Sequence, residues 1–183
     1  DLRANKKDYP MMVQRYVALA FEKDAVPKAA DIPVLKPYLT VESAQQAGTL
    51  KKFEKQTALL GERSIIGFCP GAEFGPAKRW PHYHYAKLAE MLITQGYAVE
   101  LFGSAKDEPV GEEIRQALPE ELREFCVNLA GKTNLNEAVD LIANCTAVVT
   151  NDSGLMHIAA AVNRPLIALY GPTSPQYTPP LSD

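Results

Sequence analysis

From Ser64 onward, short apolar runs alternate with stretches whose apolar residues fall at helical spacing. The first run, Ile65-Ile66-Gly67-Phe68-Cys69, suits a strand buried on both faces. After a Gly/Pro-rich loop, Tyr85, Leu88, Ala89, Leu92 and Ile93 keep the spacing of one inward helix face. Pro81 suits the first turn of that helix and Gly96 its end. Ala98 to Phe102 predicts a second strand, Pro109 to Leu118 a helix, and Phe125 to Leu129 a short third strand. Asn134 and Glu137 form a capping-box pattern ahead of a helix that should bury Leu135, Val139 and Ile142. Ala147 to Thr150 and Leu166 to Tyr170 complete five strands, with a small-residue helix from Ile158 to Val162 between them. Strands alternating with four helices predict an α/β fold, a Rossmann-like, doubly wound parallel sheet that binds ligands at the carboxyl ends of its strands.

Residues 1–61 do not follow this alternation. Pro10 to Phe21 predicts a helix with Met12, Val13, Tyr16, Val17 and Ala20 inward, and Pro27, Pro33 and Pro37 then break the chain. Ser43 to Leu60 is a polar helix or loop. The expected organisation is the end of a preceding domain and a linker over 1–61, followed by a nucleotide-binding domain over 62–183. The last residues read as a loop, so this second domain is expected to be incomplete and the chain to be a piece of a longer protein.

Composition narrows the class. With 183 residues, 46% hydrophobic and 22% charged, the chain can bury a substantial core. A net charge of −3 argues against broad electrostatic binding of nucleic acid. Cys69, Cys126 and Cys145 are odd in number and widely spaced, which predicts neither a disulfide framework nor a zinc site and fits a reducing cytosol. No apolar run approaches the roughly 20 residues that span a bilayer.

Candidate chemistry concentrates in the loops after strands. Asn151-Asp152-Ser153-Gly154-Leu155-Met156-His157 follows a strand and opens a helix, where unpaired N–H groups and a partial positive charge favour phosphate. Asn, Asp and Ser also make ordinary helix caps, so the motif alone leaves both readings open. The loop from Cys69 to Pro81 carries Gly71 and Gly75, which allow close backbone approach, and Lys78 and Arg79, which could neutralise phosphate. It has neither the Gly-Lys-Ser/Thr ending of a P-loop nor the Gly-x-Gly-x-x-Gly fingerprint, which disfavours a nicotinamide dehydrogenase. Tyr170-Gly171-Pro172-Thr173 and Gly103 to Glu108 reach the same edge, but each reads more simply as a turn or a solvated loop. His82 and His84, two residues apart, do not share a helical face and are expected to meet solvent.

Asp152-Ser153-Gly154-Leu155-Met156-His157, together with the Lys78 loop ending in Trp80-Pro81 and with Tyr170-Gly171-Pro172-Thr173, resembles the ADP-heptose:lipopolysaccharide heptosyltransferases. The resemblance implies a GT-B glycosyltransferase, of which this chain would be the C-terminal, nucleotide-sugar-binding domain with a partial N-terminal domain tail. It further implies inverting transfer of heptose from ADP-heptose to the inner core of lipopolysaccharide. The donor would lie against Gly71, Ala72, Lys78, Thr133, Asp152, Ser153, Gly154, Leu155 and His157, with Lys78 stabilising the departing diphosphate and Thr133 near the adenosine. Lys78 and the helix N-terminus could do this without an essential metal or other cofactor. The general base is expected in a part of the enzyme outside this chain. A cytoplasmic protein, with peripheral association at the inner membrane, follows from the acceptor. Some relatives carry an acid just after the glycine equivalent to Gly103, where this chain has Ser104-Ala105. Another GT-B sugar-nucleotide enzyme, with a different donor or epimerase chemistry, and a non-catalytic nucleotide-binding module are the alternatives.

Overall fold

A computed structural model describes residues 7–22, 25–73 and 75–182; Phe74 of the candidate loop and the first six residues lie outside them. The elements are α1 (Met12–Ala18), α2 (Ser43–Thr57), β1 (Ile65–Cys69), α3 (His82–Thr94), β2 (Ala98–Leu101), α4 (Glu108–Gln116), β3 (Cys126–Asn128), α5 (Leu135–Asn144), β4 (Ala147–Asn151), α6 (Gly154–Ala161) and β5 (Leu166–Leu169). The five strands form one sheet in the order β3-β2-β1-β4-β5, every pair parallel. The order reverses direction between β1 and β4, and in such sheets the crevice beyond the strands' carboxyl ends at that point receives the ligand.

Strand alternation divides the core in two. Ile66 and Phe68 of β1, Val99 and Leu101 of β2 and Val149 of β4 face α3 and α4, meeting Tyr85, Ala89, Ile93 and Ile114. Cys69, Phe102 and Val148 face the opposite side, where Phe53 of α2, Leu141 and Ile142 of α5 and Ala159 of α6 cover them. The predicted α3 face is present, with Ala86 also buried and Leu88 and Leu92 at its half-buried margin. The Asn134–Glu137 capping box forms as predicted: Glu137 N–H donates to Asn134 Oδ1 at 2.9 Å, and Asn134 N–H donates to Glu137 Oε2 at 3.0 Å.

The polar stretch from Ser43 is a helix, held to α5 by hydrogen bonds as well as by apolar packing. Asp140, 1% exposed, accepts from Thr49 Oγ1 at 2.6 Å and from Gln45 Nε2 at 3.2 Å, while its backbone carbonyl accepts from Gln46 Nε2 at 3.0 Å. Phe53 and Leu50 add α2 to the same core as the sheet.

Two predicted inward faces are corrected. Helix α1 stops at Ala18 and buries Gln14, Arg15 and Ala18, leaving Tyr16 65% exposed and Ala20 outside the helix. Arg15 turns inward because its Nε donates to the Tyr9 carbonyl at 2.8 Å and its guanidinium lies over the Tyr177 ring at 4.7 Å. Leu135, predicted to be buried, is 65% exposed because it stands at the rim of the cavity described next. Helix α6 starts at Gly154, four residues before the predicted Ile158, so most of the motif lies on its first turns.

Candidate active site at the carboxyl edge of the sheet

A cavity of about 370 Å³ opens at the carboxyl ends of the strands. Of the residues expected to bind donor, Gly71, Thr133, Ser153, Gly154 and Leu155 line it. Phe102, Leu135, Ala138, Leu155 and Ile158 give it an apolar wall. Ser153 occupies the N-cap position of α6 without making a side-chain cap bond, which leaves first-turn N–H donors to a ligand.

Lys78 and Asp152 meet outside that cavity as an ion pair, with His157 close enough to Asp152 to feel its charge. Lys78 lies in a 3-10 turn, Pro76–Lys78, and its Nζ meets Asp152 Oδ2 at 2.8 Å. Burial opposes ionisation of Asp152, but the Lys78 hydrogen bond, the adjacent Thr173 hydroxyl, the Lys78 charge and His157 outweigh it and hold the carboxyl below its usual range. Thr173 Oγ1 is enclosed beside this carboxylate without forming a hydrogen bond of regular geometry. Burial lowers the His157 pKa, with Asp152 partly offsetting it, so the imidazole is mainly neutral at neutral pH. The carboxylate therefore holds the cation poised at the crevice, a role not assigned to Asp152 in advance.

Gly171, after β5, packs on this segment: a Cβ there would stand 2.6 Å from the Ala77 carbonyl oxygen. Ala72 joins neither group; it is 4% exposed, and its carbonyl accepts from Arg79 Nη2 at 3.2 Å. His82 approaches Glu113 at 3.4 Å, and His84 stacks on Trp80.

Asp107 is the functional candidate that the pattern concealed. A one-turn 3-10 helix, Ala105–Asp107, brings its carboxylate to the cavity wall. Oδ2 accepts from Ser104 N–H at 2.9 Å and from Ser104 Oγ at 2.8 Å, while Oδ1 stands 3.8 Å from Arg79 Nη2. Gly71 makes room for it, because a Cβ at that position would lie 2.5 Å from the carboxyl carbon. Only the Ser104-x-x-Asp107 capping spacing signalled this turn in the sequence.

A family model described as glycosyltransferase family 9 (heptosyltransferase) matches residues 1–183. The chain belongs to this family. It is 96% identical over all 183 residues to a lipooligosaccharide heptosyltransferase 2 of Haemophilus influenzae, covering 53% of that protein. It is 58% identical over 180 residues to lipopolysaccharide heptosyltransferase 2 of Escherichia coli, covering 97% of this chain and 51% of that one. The solved structure of the Escherichia coli ADP-heptose LPS heptosyltransferase II superposes with a TM-score of 0.88 over 97% of this chain and 53% of that chain. The chain thus spans about half the length of the family 9 relatives it matches. The α/β parallel-sheet fold is that of GT-B heptosyltransferases. Among the described residues, no helix is long and apolar enough to cross a membrane.

Proposed function

We propose that this chain is the donor-binding part of an inverting glycosyltransferase that moves heptose from ADP-heptose to the lipopolysaccharide inner core. The observation carrying this reading is the continuity of three environments at the β1–β4 switch point: an apolar-walled cavity, the α6 N-terminus, and the Lys78–Asp152 pair. The adenine fits the cavity between Phe102 and Leu155, with Thr133 at its edge, and the Asp107 carboxylate accepts from ribose hydroxyls. The diphosphate rests on the first-turn N–H groups of α6. Asp152 and neutral His157 hydrogen-bond the heptose hydroxyls.

In the transfer, an acceptor oxygen bonds to the anomeric carbon of heptose while the bond from that carbon to the diphosphate oxygen breaks. Its electron pair leaves with ADP, and the acceptor proton passes to a general base expected outside these residues. Lys78 and the helix N-terminus stabilise the growing diphosphate charge, so no metal is assigned an essential part. The protein acts in the cytoplasm, at the inner-membrane face where a lipid-anchored acceptor would be met.

Titration calorimetry with ADP, UDP and GDP tests the donor assignment. ADP should bind in preference to the other two, and Lys78→Ala should weaken it about tenfold, the scale of one lost charge-assisted hydrogen bond. Equal affinity for the three diphosphates, or no effect at Lys78, counts against it.

A further inference from the structure

Asn151, the last residue of β4, is fully buried at 0% exposure and satisfies three groups with one side chain. Its Nδ2 donates to the Pro70 carbonyl at 2.7 Å. Its Oδ1 accepts from the Trp80 backbone N–H at 3.2 Å and from the Tyr85 hydroxyl at 3.1 Å. The Pro70 carbonyl can only accept and the Trp80 N–H can only donate, so the network fixes the amide's orientation. Pro70 and Trp80 are the two ends of the loop that carries Lys78. One amide therefore pins both the entry and the exit of that loop to the strand whose next residue is Asp152.

We propose that Asn151 is a positioning residue for Lys78, setting where its ammonium group stands relative to the diphosphate of the donor. This rests on the donor-site reading above and adds to it the device that sets the cation's place. The chemistry requires an amide. A carboxylate could accept from Trp80 and Tyr85 but would face the Pro70 carbonyl with a second acceptor, and an apolar side chain would leave all three partners unpaired. Asn151 is enclosed, with its amide engaged by Pro70, Trp80 and Tyr85, so its influence on the ligand passes through the loop.

The readout that separates positioning from general support of the fold is the ratio of ADP affinity to adenosine affinity. Adenosine lacks the phosphates that Lys78 serves, so only the ratio reports the ammonium. Asn151→Asp should reduce the ratio about tenfold and leave adenosine affinity within about twofold. Lys78→Ala should do the same, and Asn151→Asp added to Lys78→Ala should reduce the ratio no further. Should Asn151→Asp be unfolded by circular dichroism, Asn151→Ser shortens the reach to both loop ends without adding charge and carries the same expectation. An unchanged ratio, an equal loss for ADP and adenosine, or a further fall in the double variant overturns the proposal. If the unaltered chain itself does not prefer ADP to adenosine, the donor-site reading fails first and takes this one with it.

Discussion

Glu100 on β2 offers a quantitative test of how this sheet is buried. The residue is 2% exposed on the α2–α5 face, and its Oε2 is enclosed without a hydrogen-bond partner. Burial pushes its pKa from the usual 4.5 to about 7. Between these values the folded chain holds a proton that the unfolded chain releases, so stability falls as pH rises through this window. It is greatest below the unfolded pKa and levels off above the folded one. At roughly 1.4 kcal/mol per pH unit, the carboxyl withdraws about 3 kcal/mol between pH 4.5 and pH 8. Glu100→Gln keeps the shape and removes the ionisation, so only the parent should show this loss. Urea unfolding of both proteins at pH 4.5 and pH 8 gives the difference directly, because every other titrating group cancels. The variant should gain about 3 kcal/mol on the parent over that range. A stability difference that does not change with pH would refute the reasoning and mean that the carboxylate finds a compensating cation when it ionises.

Two further substitutions probe the supports of the candidate site. Gly171→Ala places a methyl group against the Ala77 carbonyl and must displace the Lys78 turn; ADP affinity should fall about threefold to tenfold in titration calorimetry, with a change in melting temperature of a few degrees at most. Asp140→Ala leaves the Thr49 hydroxyl and the Gln45 amide without their acceptor. It should cost about 2 to 3 kcal/mol in urea unfolding, and a loss under 1 kcal/mol would mean that α2 is not held to α5 as described.

The sheet was legible because its strands are apolar runs between turn residues, and α5 because its capping box is local chemistry. The parts that escaped depend on contacts between distant segments. Tyr16 keeps helical spacing with Met12 and Val13, yet it faces outward because Arg15 finds an acceptor in the Tyr9 carbonyl and a ring in Tyr177. Leu135 has the right spacing for the core but lines the cavity rim. Asp107 reads as a solvated loop acid until Gly71 is seen to admit its carboxylate. Asn151 looks like part of a helix cap, whereas Ser153 occupies the cap position and Asn151 ends the strand. Lys78 and Asp152 each stand out in the sequence as candidates, but their direct pairing across 74 positions is not signalled by it.

The strand order also sets a sequence of events for the chain as it folds. β1 pairs with β2 through a short βαβ unit, but its other edge stays open until β4 arrives, and the Asn151–Pro70 bond spans 81 positions. Loop closure over that distance carries a larger entropic cost than the β1–β2 pairing before its contacts can repay it, which favours formation of the β1–β4 seam after the β1–β2 unit. During synthesis the β1–β2–β3 half can form while the crevice does not yet exist. The candidate site is therefore complete only when the two halves of the sheet meet at that seam.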